Sequence, residues 1–297
     1  MLVNTANIRS LGVAFSAAYA NGLGMAVPQW SSVATEVMST TRENEYGWLG
    51  MMPSMRKWLG DRVVNRAAGH EYSIVNEDFE LTIGVKRNDI EDDNIGMYNP
   101  LFNEMGRSTA AHPDEEVFGL LKRAFDEACY DGQPFFDTEH PVLDKAGKTI
   151  LVSNSGGGSG TPWYLLDDTR ALKPLIRQVR KKPEFVAKDN VTDDNVFDKK
   201  EFVYGVDSRD AVGFGFWQMG FGSKQTLNAA AYAAARAAMH GMKGDYGRPL
   251  GLKPSLLVVP PSLEGAALEI LNAERNAAGE TNVWKGTAKL LVVPWLA

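Results

Sequence analysis

The sequence predicts an α+β chain, on three observations. Asp114 to Ala128 carries a clean helical stripe, the stretch from Trp163 to Phe221 reads mainly as strands, and the last quarter alternates strand, helix and strand. With 297 residues, 44% of them hydrophobic and 23% charged, the chain has ordinary globular proportions and room for one large domain or two medium ones.

Ile8, Leu11, Phe15 and Ala18 recur at helical spacing until Asn21-Gly22-Leu23-Gly24 breaks the pattern. The stripe is narrow and has no local partner. It reads as an arm that packs on something else or as a peripheral helix of the core.

Next, Arg62-Val63-Val64-Asn65-Arg66 reads as a strand, Ala67 to His70 as a loop tip and Glu71 to Val75 as the returning strand. This hairpin has few large apolar residues and many charges, so it cannot bury a face in its own domain. Isolated hairpins are marginal in water, so something outside is expected to hold it. Phe79, Leu81, Ile83 and Val85 then alternate with Glu80, Thr82 and Lys86 as a half-buried strand.

In the predicted helix Asp114 to Ala128, Val117, Leu120, Leu121, Phe125 and Ala128 share one face. Pro113 marks its entrance, and Asp114, Glu115 and Glu116 suit the positive end of its dipole. Ser153 to Gly160 reads as a flexible connector. Trp163 to Leu166, Leu175 to Val179, Phe185-Val186 and Phe202 to Tyr204 read as short strands. Val212 to Trp217 alternates aromatics with glycine, a strand whose bare face lets another backbone come close. Thr226 is placed to cap an alanine-rich helix ending at Gly241, and Ser262 to cap the helix carrying Leu263, Ala267, Ile270 and Leu271. Leu256 to Val259 and Leu290 to Val293 are buried strands flanking that second helix, a βαβ-like unit.

The chemistry-bearing residues do not add up to a catalytic set. With one cysteine there is no internal disulfide and no cysteine metal cage. Cys129 and His140, with Asp137 as orienter, are the sharpest nucleophile pair, but a cysteine on the apolar stripe of a helix end is read first as a small buried hydrophobe. His70, His112, His140 and His240 are scattered without metal-ligand spacing, so no metal or cofactor is expected. Gly156 to Gly160 lacks the Lys and Ser/Thr of a phosphate loop, and Pro260-Pro261 stands where a dinucleotide fold would carry glycines. Glu91-Asp92-Asp93 reads as a solvated turn. The run Arg177, Arg180, Lys181, Lys182 reads as salt bridges to an acidic neighbour, because a net charge of −6 argues against tight sequence-independent binding of nucleic acid. No run approaches the roughly 20 apolar residues of a membrane span. Met1 to Ser10 lacks the order of a secretory signal, so the chain is expected to mature where it is made.

Several runs, taken in order, resemble the major head subunit of Mu-like tailed phages and prophages. They are Tyr46-Gly47-Trp48-Leu49-Gly50, Tyr72-Ser73-Ile74-Val75-Asn76, Phe79-Glu80-Leu81-Thr82-Ile83, Val85 to Asn94 and Asn103-Glu104-Met105-Gly106-Arg107-Ser108. Cys129 to Asp137, Tyr164-Leu165-Leu166-Asp167, Gly213 to Met219 and Leu250-Gly251-Leu252-Lys253-Pro254 continue the match over nearly the whole chain.

The resemblance implies an HK97-like phage capsid fold. Its parts would be an N-terminal arm over residues 1–45, an extended loop hairpin over 46–78, a peripheral domain with a spine helix over 79–225, and an axial α/β domain over 226–297. It implies a major capsid protein, not an enzyme, that self-assembles through hexamers and pentamers into an icosahedral head around double-stranded DNA held weakly and non-specifically. Scaffold, portal and decoration proteins are the further partners it suggests, with no membrane and no cofactor. The product would sit in the virion, assembled in the host bacterial cytoplasm. Subunit contacts are expected from Lys57, Arg62, Arg66, His70 and Glu71 on the hairpin, Phe15 on the arm, and Arg177, Arg180 and Lys181 on the basic strand. Distant members of the fold crosslink Lys to Asn; Lys57 and Asn65 lie in or near the hairpin, but strand addition, packing and salt bridges are the expected glue. A tail or encapsulin-like shell component, and a hydrolase using Cys129 and His140, remain as alternatives.

Overall fold

The computed structural model describes residues 1–50, 72–276 and 278–297. Asn4 accepts a hydrogen bond from the Asn7 amide and so starts α1, Thr5–Leu23. Its inward stripe is the predicted one, Ile8, Leu11, Phe15 and Ala18, extended by Tyr19. This stripe packs on the chain's own second long helix, so the peripheral-helix reading holds. Strands β1 (Ala34–Met38), β2 (Glu43–Glu45), β3 (Ser73–Val75) and β4 (Glu77–Lys86) follow, then a short α2 (Arg87–Glu91).

Helix α3, Tyr98–Arg123, corrects the prediction at both ends. It begins 16 residues before Asp114, has no side-chain cap, and holds Pro113 in its interior. Proline lacks the N–H that would continue the ladder, which is why the sequence suggests an entrance there. The helix persists because it is anchored on both sides of Pro113: Tyr98, Phe102 and Met105 enter one hydrophobic cluster, and Val117, Phe118, Leu120 and Leu121 enter another. Asp114 does not serve the helix dipole. Its carboxylate accepts the amides of Gln29 and Trp30 at 2.7 to 3.0 Å and ties the strand-ward linker to the helix. The predicted last turn, Ala124 to Ala128, leaves the helix as turns, with the Ala124 carbonyl accepting the Phe136 amide at 2.8 Å.

Helices α1 and α3 cross backbone to backbone. A Cβ on Gly22 would lie 1.9 Å from the Asn103 carbonyl oxygen, and one on Gly106 would lie 2.1 Å from the Tyr19 carbonyl oxygen. Only glycine allows that approach.

The rest of the chain comprises β5 (His140–Leu143), β6 (Thr149–Val152), β7 (Ser155–Gly158), β8 (Trp163–Leu166), β9 (Leu175–Lys188), α4 (Asp194–Lys199), β10 (Glu201–Phe214) and β11 (Gly220–Lys224). After them come α5 (Ala229–Gly241), β12 (Lys243–Gly244), β13 (Arg248–Pro249), β14 (Leu256–Val259), α6 (Glu264–Leu271) and β15 (Lys289–Val292). One sheet has the order β1-β9-β10-β4, a second β15-β14-β8-β11-β7.

Three more expectations need correction. The glycine run is not a loose connector: its first part, β7, pairs in parallel with β11. A Cβ on Gly156 would sit 2.6 Å from Ser223 Oγ, and one on Gly158, where φ is +95°, would sit 2.5 Å from the Lys224 backbone, so these glycines serve close approach. The separate strands read between Leu175 and Phe214 join into two 14-residue strands, β9 and β10, roughly 45 Å long. Pro183 falls where their register slips between Asp207 and Arg209, a place where a residue without an amide proton costs no ladder bond. Finally, Asn228, not Thr226, caps α5 by accepting the Ala231 amide, and α6 starts at Glu264 with Ser262 in a preceding 3₁₀ turn.

The βαβ-like unit is as predicted: β14 and β15 pair in parallel, Leu257 opposite Leu290, with α6 as crossover. Both faces of the second sheet are covered. Trp163, Leu165, Leu257 and Val259 pack with α5 and α6, while Tyr164, Leu166, Leu256 and Val258 face the central core. No helix among the described residues is long and apolar enough to cross a membrane.

Candidate assembly surface and the root of the hairpin

Strands β2 and β3 pair antiparallel, Glu43 opposite Val75 and Glu45 opposite Ser73, and the ladder continues as the Tyr46 amide donates to the Tyr72 carbonyl at 2.8 Å. They are the described part, or root, of the hairpin expected from the sequence. Glycine makes the root fit: a Cβ on Gly213 of β10 would lie 2.2 Å from Ile74 Cδ1, so the bare face predicted at Val212 to Trp217 receives an isoleucine. Gly215 receives backbone, with the Pro174 carbonyl oxygen 2.8 Å from its would-be Cβ.

A buried polar chain locks the root to β9. Tyr46 Oη donates to Gln178 Oε1 at 2.8 Å, and Gln178 Nε2 donates to the Ile74 carbonyl at 3.0 Å and Asn76 Oδ1 at 2.8 Å. Asn76 Nδ2 in turn donates to Ser39 Oγ and to the carbonyls of Thr41 and Arg42, at 2.9 to 3.1 Å. Tyr72 Oη accepts the Phe214 amide at 2.8 Å. Burial pushes the Tyr46 and Tyr72 hydroxyls above their usual range, so both stay neutral. Both side-chain amides in the chain have their donors and their oxygens paired, which stiffens the root. Gln178 and Asn76 are 102 residues apart, so no local pattern reveals the pairing.

Lys57, Arg62, Asn65, Arg66, His70 and Glu71, the hairpin residues expected to reach a neighbour, lie outside the described residues. The other expected contacts fall unevenly. Phe15 is 2% exposed and stacks on Phe102 at 4.3 Å, so it fills the subunit's own core. Arg177 is buried, pairs with Glu36 and Asp210 at 2.9 Å each, and lies over Trp30. Its guanidinium is spent within the fold because Asp210, buried on β10, needs a countercharge. Lys181 pairs with Asp207 of the same chain, and Arg180 is exposed. Outward-facing apolar side chains that the sequence did not single out include Val27 beside α1 and Phe197 on α4, 87% and 86% exposed.

His112 lies 3.5 Å from Asp210 on the far side of Arg177. Burial opposes its protonation, but Asp210, with Glu116 and Glu115 nearby, outweighs burial and raises its pKa above the ordinary value. A raised folded pKa means stability that is complete below about pH 6.5, the unfolded value, and lost as pH rises through the folded one. The melting temperature of wild type minus that of His112→Asn should therefore fall as pH is raised from 6 to 9. A difference that stays flat or grows would contradict the assignment.

The sequence's nucleophile candidates do come together, with a different acid. Cys129 Sγ donates to Asp131 Oδ1 at 3.1 Å, and His140 Nδ1 lies 2.7 Å from Asp131 Oδ2. Asp137 instead accepts the amide of Glu139 at 2.9 Å and that of its own neighbour Thr138. Burial, then the Asp131 charge, push the Cys129 thiol well above its usual range, the opposite of what a nucleophile needs. The imidazole of His140 stacks on Trp217 with ring centres 3.9 Å apart. Asp131 stands two residues after Cys129, a spacing that could have signalled it ahead of Asp137.

Comparison with known proteins places this geometry. Residues 8–296 match the family described as Mu-like prophage major head subunit gpT. The whole chain is 45% identical to the major capsid protein of Escherichia phage Mu, over that protein's full length. It is 43% identical to the Mu-like prophage FluMu major head subunit of Haemophilus influenzae, over 91% of this chain and 90% of that one. Among solved structures it is similar to the procapsid of bacteriophage JBD30, with TM-score 0.87 and 45% identity over 99% of this chain and all of that one. Against the bacteriophage JBD30 capsid the TM-score is 0.78 at 36% identity, over 93% of each chain.

Proposed function

The chain belongs to the Mu-like major head subunit family, and from that premise we propose how it is used: its copies form hexamers and pentamers that close an icosahedral head around double-stranded DNA. It is the major capsid protein of a Mu-like tailed phage, a virion component and not an enzyme. The observation that best supports the finer reading is that a single chain of the JBD30 procapsid superimposes on this one from end to end. The polar network at the root adds to it, because it fixes the two strands from which the expected hairpin would spring.

The packaged DNA is held weakly. The acidic balance of −6 leaves no excess of cations for tight phosphate neutralisation. Scaffold, portal and decoration proteins complete the set of partners, and assembly takes place in the host cytoplasm. Exposed ion pairs are worth about 0.2–1 kcal/mol each, yet repetition over many copies sums them to a stable shell. Negative-stain electron microscopy of the purified chain should show closed icosahedral particles, spontaneously or with its scaffold co-expressed. Tubes, or only monomers under both conditions, would overturn the reading.

A further inference from the structure

We propose that Cys129, Asp131 and His140 form a binding site for a zinc-class divalent cation, which staples the turn after α3 to the start of β5. The ligand atoms Sγ, a carboxylate oxygen and a ring nitrogen all lie within 4.8 Å of one another. They come from a buried cysteine, a fully buried histidine and an aspartate whose side chain is 7% exposed.

The hydrogen-bond network decides which atoms are free to ligate. Asn154 Nδ2 donates to the carbonyls of Phe135 at 2.8 Å and Trp217 at 3.0 Å, which fixes the amide's orientation. Its Oδ1 is therefore an acceptor, and it also takes the Asp137 amide at 2.9 Å. His140 Nε2, 3.2 Å from that same oxygen, must carry a hydrogen. His140 Nδ1 then faces the Asp131 carboxylate at 2.7 Å, where two lone pairs would repel unless a cation lies between them. That cation is either a proton or a metal ion. An imidazole with one nitrogen toward the cation and the other donating to a fixed carbonyl-type oxygen is the outer-shell arrangement that orients metal-binding histidines. Trp217, with its ring tilted only 7° from the imidazole, holds the ring plane.

The loaded site is neutral: a thiolate, a neutral imidazole, a carboxylate and a dication sum to zero, and the protons that the dication displaces from the ligand atoms, that of Sγ among them, go to solvent. A bound cation favours the thiolate that burial alone disfavours. Tetrahedral zinc sets its ligand atoms about 3.4 Å apart, so His140 Nδ1 and Asp131 Oδ2, now at 2.7 Å, would open by about half an ångström while any pair near the 4.8 Å limit closes. Thiolate with imidazole selects zinc or cobalt over magnesium or calcium. The fourth position falls to water or to the second oxygen of Asp131.

The test uses the full chain, dialysed against chelator and titrated with zinc chloride, with metal counted by mass spectrometry. About one zinc per chain is expected, and cobalt in its place should give a thiolate charge-transfer band. Cys129→Ser keeps a donor for Asp131, so its circular dichroism should match wild type while the cobalt band disappears and zinc affinity falls about 100-fold or more. Should Cys129→Ser not fold, the wild-type cobalt spectrum alone decides: a thiolate band supports the site. No retained zinc, a cobalt spectrum without that band, or a folded Cys129→Ser that binds zinc as tightly as wild type would each overturn it.

Discussion

Gly106→Val is expected to strip α1 from the subunit and to lower stability by about 3 kcal/mol or more. The atoms that crowd a Cβ at this position are all backbone: the Tyr19 carbonyl at 2.1 Å, the Leu23 amide at 2.8 Å and Gly22 Cα at 2.9 Å. No rotamer change relieves such a clash, so the helices must separate. Separation exposes Ile8, Leu11, Phe15, Ala18 and Tyr19, whose partners are Tyr98, Phe102 and Met105. Urea titration should show the loss, and limited proteolysis should cut within Thr5–Leu23 in the variant but not in wild type. Gly96→Ala, where a Cβ meets nothing within 4 Å, is the control. If Gly106→Val melts with wild type, the helix crossing is not what holds α1.

Deleting residues 66–71 is expected to give the opposite pattern, an intact subunit and no heads. The polar chain that fixes the hairpin root runs through Tyr46, Gln178, Asn76 and Ser39, all outside the deletion. Denaturant stability should therefore stay within about 1 kcal/mol of wild type, the size of ordinary surface changes. Sedimentation and electron microscopy should find no closed particles. Normal heads from the deletion would remove the hairpin from the assembly mechanism. Together the two variants separate folding from assembly, since one fails before the other begins.

Which features were legible in the sequence follows from how local their causes are. The α1 stripe buries one face of one element and the strand at Leu256 buries both faces of one, so a helical period reports the first and a short continuous apolar run the second; the alternation from Phe79 to Val85 reports its strand too, although Leu81 is exposed. Helix α3 was half hidden because a proline looks the same in sequence whether it opens a helix or sits inside one held by packing on both sides. The glycine strand β7 was missed for a related reason. Composition registers glycine as freedom, while Gly156 and Gly158 use its smallness against Ser223 and Lys224. Arg177 read as a surface cation because its partners, Glu36 and Asp210, are 141 and 33 residues away. At the buried cluster the sequence supplied Cys129 and His140 but the wrong acid. Of the hairpin root the returning strand was legible, since β3 lies within Glu71 to Val75, but its pairing with β2 and its polar network were not, because contacts spanning Ser39 to Gln178 have no local periodicity to report them.

Pro113 sits between the part of α3 that enters one hydrophobic cluster and the part that enters the next, and it removes one rung of the helix at that seam. Mechanically, α3 is a rod about 39 Å long with its compliance concentrated at one joint. A tile that must cover both flat and curved ground needs give somewhere, and give spread evenly through a close-packed interior would cost contacts everywhere. The missing rung lowers the resistance of α3 to bending at that residue, and the side chains that enter the two clusters lie on either side of it, so a bend at Pro113 is expected to leave both sets of contacts in place.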